Sequence, residues 1–443
     1  MKFIDLFAGL GGFHVALSSL GHECVFASEV DSELREVYLK NFPEMRGRIF
    51  GDIRESKIRV PKHDVLCAGF PCQPFSKSGA QAGLLDKTRG TLFHEILEIL
   101  AQWKPKFVLL ENVGNFERHD SGRTWKIVRK SLQEFGYEVW GTEHVTSGGH
   151  GLISPHHLGF PHTRERFFVV ASQKKLSSDP FPSRTPTIET SLKNIQLPNA
   201  DLTPLDRVET HIDEHYVRCI DHWNVLLERI PSNVDLPSFP IWGDELGAKY
   251  PFQKKTPYAS TAIELRKVLS LENLKAMPKR ELVASLPNYA RTPVRRFPDW
   301  KVAFIRQNRE WFEKISPHLT KRWISTLNTF PPSLRKLEWN CQGEERNLWK
   351  HVLQFRPSGL RVKRYSSSPA LVAMTTTQVP ILGPKKRFIS RVEGLRLQGL
   401  ADDHALPVHR DLAFRALGNA VHVGVVRAIA ERAFGKSAKI KSN

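Results

Sequence analysis

The sequence predicts a doubly wound α/β fold on a mostly parallel sheet, with a second, irregular domain between its two parts. Short apolar runs alternate with helix-spaced segments over residues 1–171. A polar stretch rich in Ser, Pro and Thr then breaks the pattern near Ser172, and regular spacing returns only at residue 387. The expected division is therefore 1–171, then 172–386, then 387–443 returning to the first domain.

The expected strands are Lys2–Phe7, Cys24–Ala27, Val65–Phe70, Phe107–Leu110, Tyr137–Val145 and Phe167–Ala171. Between them, Phe13–Leu20, Ser32–Asn41, Thr91–Trp103 and Thr124–Phe135 carry apolar residues at helical spacing. In such sheets ligands meet the loops that follow the carboxyl ends of strands. After residue 387, helices are expected at Arg391–Gln398 and Asn419–Phe434.

A net charge of +19 favours a polyanionic partner, and nucleic acid is the commonest one inside a cell. Residues 291–364 concentrate that charge, with 17 Lys or Arg against 6 Asp or Glu. Phe297, Trp300, Phe304, Trp311, Phe312, Trp323, Trp339, Trp349 and Phe355 are interleaved there, and most of them are expected to pack a core. No apolar run is long enough for a membrane span, and Asp5 with Gly9, Gly11 and Gly12 interrupts the apolar N-terminus before it can serve as a signal peptide. The five cysteines, Cys24, Cys67, Cys72, Cys219 and Cys341, show no metal-binding spacing and suggest a reduced, cytoplasmic setting without metal or disulfides.

Four motifs sit at predicted strand ends. DLFAGLGGF (Asp5–Phe13) is a glycine turn between strand and helix, with Glu29 placed to hydrogen-bond a ribose and Asp52 ending the next segment. A purely structural turn remains a lesser alternative for the glycines when they are taken alone. GFPCQPFSKSG (Gly69–Gly79) holds Cys72 between prolines directly after a strand, which presents it for nucleophilic work, whereas Cys67 within the strand reads as packing. Glu111 in ENV either serves chemistry or caps a helix. Arg164 and Arg166 in HTRERF either hold an anion or form a solvated edge.

Together with RVEGLRLQG (391–399) and GNAV (418–421), these motifs resemble, in order, those of the DNA (cytosine-5) methyltransferases of bacterial modification systems. The resemblance covers residues 1–171 and about 387–443, and SSSPALVA (366–373) has a weaker likeness to a segment near the family's end. It implies a Rossmann-like methyltransferase sheet, a target-recognition domain in 172–386, double-stranded DNA as substrate and S-adenosylmethionine as methyl donor. It further implies that Cys72 attacks carbon 6 of a flipped cytosine, that Glu111 holds ring nitrogen 3 and the amino group, and that Arg164 and Arg166 position the base. The cofactor residues it implies are Phe7, Gly9, Gly11, Glu29, Val30, Asp52, Ile53, Pro71, Leu92, Asn419, Ala420 and Val421. A restriction endonuclease acting on the same site is the partner such a system would add.

Two positions depart from the family pattern. His162 stands where glutamine is common, and it is left without a role. Val30 stands where tryptophan is common, which leaves a thinner wall for adenine. Rival readings are a tRNA cytosine-5 methyltransferase on the same scaffold, an inactive DNA-binding homologue, and an NAD-dependent oxidoreductase. The large basic insertion opposes the first, and the intact Cys72, Glu111, Arg164 and Arg166 oppose the second. The lack of a GxGxxG turn opposes the third.

Overall fold

Strand β1 (Lys2–Leu6) lies centrally in an eight-stranded sheet, and its last four residues are buried on both faces. The computed structural model describes residues 1–71, 91–141, 151–184, 188–269, 277–371 and 378–435. The chain divides into two units. The first comprises residues 1–209, 366–379 and 389–443, and the second comprises 210–365 and 380–388.

In the first unit, β2 (Glu23–Ser28), β3 (Ile49–Phe50), β4 (Val65–Gly69), β5 (Phe107–Val113), β6 (Glu138–Trp140), β7 (Leu152–Ile153) and β9 (Arg166–Ser172) join β1. The order is β3-β2-β1-β4-β5-β9-β6, with β7 also paired to β9. The first five strands run parallel, and β9 pairs antiparallel with β5, β6 and β7. The near-continuous apolar runs of β4 and β5 fit strands covered on both faces. Helices Leu92–Trp103 and Arg123–Glu134 supply Ile96, Leu100, Val128 and Leu132 to the core around Leu66, Leu110 and Val169. Strand order reverses between β1 and β4, where a doubly wound sheet opens its crevice.

The segment after Ser172 belongs to this unit as far as Glu209, and hydrogen bonds explain why. Leu197 donates its backbone N–H to Glu393 at 2.7 Å, and Arg396 donates to the Ile195 carbonyl at 3.0 Å. Arg391 binds the carboxylate of Glu209 with both Nε and Nη2. Residues 366–379 return as well, through a short strand, Ser368–Pro369, parallel to β8 (His162–Thr163).

The helix expected at Asn419–Phe434 starts later, at Val423, and a helix that was not expected precedes it. One helix spans Arg410–Asn419 and a second spans Val423–Phe434, with Ala420, Val421 and His422 between them. His422 interrupts the run because its ring caps the second helix, accepting the Val425 N–H at 3.3 Å. Arg410–Phe434 as a whole is long and apolar enough to cross a membrane, but 72% of its most apolar window is buried inside the protein. The strand expected over Tyr137–Val145 is limited to Glu138–Trp140, and residues 142–145 lie outside the described residues.

The second unit, for which irregular structure was expected, holds a six-stranded sheet. β10 (Ile241–Trp242), β11 (Lys336–Asn340), β12 (Val352–Arg356) and β13 (Gly359–Lys363) pair in the order β10-β11-β13-β12, followed by Ile381–Leu382 and Arg387–Phe388. Helices Glu214–Arg229 and Asp299–Ile315 are the longest described in it. Phe297, Trp311, Trp323, Trp339 and Phe355 are buried, whereas Trp300 is 59% exposed, so most of the interleaved aromatics do pack the core.

Candidate active site

The carboxyl ends of β1, β2, β4 and β5 converge on a cavity of about 330 Å³. Phe7 turns the chain out of β1 with φ of 59°, an uncommon conformation for an aromatic residue. Gly9 follows with φ of 54°, and a Cβ built on it meets no protein atom within 4 Å. Its N–H donates to Glu29 Oε2 at 2.9 Å, while Glu29 Oε1 accepts from Asp31 N–H at 3.0 Å. The glycine turn and the end of β2 are thus tied together by one carboxylate that keeps lone pairs free. Gly12 permits close packing, since a Cβ there would lie 2.6 Å from Val421 Cγ2. That approach brings Asn419, Ala420 and Val421 to the cavity wall.

Sheet register assembles the opposite side. Gly69 pairs with Glu111 across β4 and β5, and Val113 pairs with Arg166 across β5 and β9. Glu111 and Arg166 are therefore diagonal neighbours on adjacent strands. Arg166 Nε lies 3.1 Å from Glu111 Oε1, an ion-pair distance without hydrogen-bond alignment, so that buried oxygen has no hydrogen-bond partner among the described residues. Burial pushes the Glu111 carboxyl above its ordinary range, and Arg166 and Arg164 only partly oppose that. Burial also draws Arg166 down, and it draws Arg164 to about 9.

Arg164 sits behind the cavity wall. Its backbone N–H donates to Ser154 Oγ at 2.9 Å, and Nη2 donates to the Ala420 carbonyl at 3.0 Å. It thus braces the segment that supplies Asn419 and Val421. Asn112 braces the loop after β4, donating to the Phe70 carbonyl at 2.9 Å. Pro71 lines the cavity, and Cys72 lies outside the described residues. The other four cysteines are all buried. Burial pushes Cys219 and Cys341 up to about 12, and Cys24 and Cys67 also rise above the ordinary thiol range. None of those four is a ready thiolate at neutral pH.

The cavity wall includes Phe7, Gly9, Glu29, Pro71, Glu111, Arg166, Asn419, Ala420 and Val421 from the sequence-based set. Gly11, Val30, Asp52, Ile53, Leu92 and Arg164 do not line it. Gly11 caps the first helix, Ile53 is buried in the core, and Leu92 packs against the core. Val30 is 70% exposed. Asp52 caps the Ile53–Ser56 helix and binds the Arg54 guanidinium, which holds its carboxyl below the usual range. The wall also contains Phe13, Leu34, Phe70 and Asn112, which sequence reasoning did not single out. Phe70 and Asn112 flank motif residues and were within reach, whereas nothing in the sequence marks Leu34. Among the described residues no His, Cys, Asp and Glu cluster is arranged to hold a metal.

Residues 1–435 match the family of C-5 cytosine-specific DNA methylases. The type II methyltransferase M.AluI of Cellulosimicrobium cellulans is 35% identical, over 97% of this chain and 91% of its own length. M.BanI of Aneurinibacillus aneurinilyticus is 29% identical over 98% and 96%. M.HhaI of Haemophilus parahaemolyticus is 41% identical over 46% of this chain and 59% of its own. The chain belongs to the C-5 cytosine-specific DNA methylase family and is a DNA cytosine-5 methyltransferase.

Proposed function

We propose that this enzyme methylates carbon 5 of a cytosine flipped out of a specific double-stranded DNA sequence, with S-adenosylmethionine as donor. It acts as the modification enzyme of a bacterial restriction-modification system, in the cytoplasm. The observation that carries the reading is a buried Glu111, one oxygen of which has no hydrogen-bond partner among the described residues, in the same cavity as the glycine turn and Glu29. The residues present fit the donor: Gly9 faces open space, Phe7 and Phe13 offer apolar walls, and Glu29 has lone pairs for hydroxyl groups. Phe7, Gly9, Glu29, Pro71 and Asn419–Val421 would hold S-adenosylmethionine, which supplies the methyl group.

The chain's own residues activate the base. The Cys72 thiolate bonds to carbon 6, and the displaced electron pair makes carbon 5 nucleophilic. Glu111 is suited to hold ring nitrogen 3 and the amino group, because burial pushes its carboxyl up and so favours the protonated form that can donate as charge builds on the ring. Arg166, beside Glu111, orients that carboxyl and stabilises developing negative charge, and Arg164 holds the wall behind it. Loss of the carbon 5 proton and departure of the thiolate then restore the aromatic ring. The base leaves the helix stack to reach this cavity.

DNA carrying 5-fluorocytosine tests the scheme, since it has no carbon 5 proton to lose. Wild-type enzyme with the methyl donor should give a covalent complex that survives denaturation, and Cys72→Ser should give none. An adduct in Cys72→Ser, or none in the wild type, would overturn it. The second unit, with its surplus of basic residues, is read as the part that chooses the target. Replacing 210–365 and 380–388 with the matching parts of a relative should move methylation to the relative's site.

A further inference from the structure

Arg164 is 2% exposed, and two of its three guanidinium nitrogens have partners. Nη2 donates to the Ala420 carbonyl at 3.0 Å and Nη1 to the Leu371 carbonyl at 3.4 Å. Its Nε has no partner among the described residues, and neither does Nε2 of His162 or Nε2 of His422. Both histidines are buried, with ring centroids 6.3 Å apart, and both feel the charge of Arg164.

The other ring nitrogens show what each orphan atom is. His162 Nδ1 lies 2.8 Å from the Leu397 carbonyl, which can only accept, so Nδ1 carries the proton and Nε2 is a bare lone pair. His422 Nδ1 accepts the Val425 N–H, so its proton sits on Nε2. Burial and the charge of Arg164 hold both rings neutral, drawing His162 well down and His422 to about 3. Two N–H donors, on Arg164 and His422, therefore accompany one acceptor on His162. Two donors and one acceptor suit one bridging water, which takes two to four polar partners.

We propose that His162 and His422 are a positioning pair for Arg164, acting through one internal water shared by Arg164 Nε, His422 Nε2 and His162 Nε2. The pair completes the third edge of the guanidinium, whose other contacts hold Ala420 and Leu371. A drifting Arg164 would loosen the Ala420 segment of the cavity wall and the arginine charge near Glu111. This inference rests on the proposed function, because it gives Arg164 a role in that reaction.

Nitrogen-15 NMR of the wild-type enzyme reads the tautomers directly. His162 should carry its proton on Nδ1 and His422 on Nε2, with neither titrating between about pH 6 and pH 8. His162→Leu should cut kcat by about tenfold or more, the size expected when a supporting shell loosens, and should also raise KM for S-adenosylmethionine, because the Ala420 segment that Arg164 holds is part of the donor's wall. His162→Gln should recover most of the loss, because its amide oxygen replaces the lone pair. Reversed tautomers, a titrating ring, or full kcat in His162→Leu would overturn the proposal. If the variants do not fold, the wild-type tautomers still decide. Failure of the wild type to trap fluorocytosine DNA would sink the proposed function. Normal trapping with full turnover in His162→Leu would sink the pair alone.

Discussion

Glu111 in the first unit and Glu245 in the second are both buried beside an arginine, and the two sites could hardly be used more differently. Glu245, in the second unit, is fully buried and saturated. Tyr250 and Tyr289 donate their hydroxyls to Oε1, and Arg309 Nε reaches Oε2 at 2.9 Å. Glu111, in the first unit, is also buried, but one oxygen has no hydrogen-bond partner among the described residues and the residue opens on a cavity. Burial pushes both carboxyls up, and a neighbouring arginine opposes it in both. Desolvation alone therefore does not mark a functional carboxyl. What separates them is hydrogen-bonding capacity left over for something outside the protein.

The largest expected effect tests that difference at Glu111. Glu111→Gln keeps the shape but can no longer pass a proton to the ring, so turnover should fall about 10³-fold. The fold should survive, which circular dichroism of the variant would show. Glu245→Gln should do the reverse. Its new amide would face the Arg309 Nε donor, taking the carboxylate from a part-buried guanidinium and costing about 3 kcal/mol in stability. The rate of methyl transfer measured below the unfolding transition should stay near wild type. If Glu245→Gln lost chemistry instead of stability, the contrast between the two sites would be false.

A smaller effect is expected at Glu29, which stands between the two extremes. Two backbone N–H groups occupy it, yet it lines the cavity with lone pairs to spare. Glu29→Ala should weaken S-adenosylmethionine binding by about 2 kcal/mol, read by calorimetry. Asp52→Ala should weaken it far less, because Asp52 is engaged by Arg54 and caps a helix. Equal losses at both positions would restore Asp52 to the cofactor site.

The sequence reveals the two sites unequally, for physical reasons. Glu111 was legible because β4 and β5 are apolar runs ending at the same level, so GFP and ENV had to meet. The glycine turn was legible because β1 and the helix after it are adjacent in the chain. Glu245 was not legible. Its partners lie 5, 44 and 64 residues away, and the strands of its unit span two to five residues and pair over long separations. Short non-local strands leave no periodicity to read. The helix at Arg410–Asn419 was not expected, and the helix expected from Asn419 starts only at Val423, because a histidine inside an apolar stretch does not show in sequence that it caps a helix. His162 and His422 lie 260 positions apart, and nothing in either segment announces the other.

The smallest predicted effect is also the most direct test of how Glu111 differs from a satisfied carboxyl. Its folded value lies above the ordinary one, so the folded protein favours the protonated form. The stability linked to that proton is full below the ordinary carboxyl range and is lost as pH rises through the folded value. Glu111→Gln is neutral at every pH and escapes the loss. Glu245 and Asp5 are raised too, but they are present in both proteins, so their contributions cancel in the comparison. The difference in melting temperature between variant and wild type should then move in the variant's favour from about pH 4 to pH 7. Thermal unfolding of both proteins across that range would measure it. A flat difference would mean that Arg164 and Arg166 hold Glu111 ionised at no cost. Glu111 would then be as well satisfied as Glu245, and its readiness to give a proton to the base would have to come from the bound DNA.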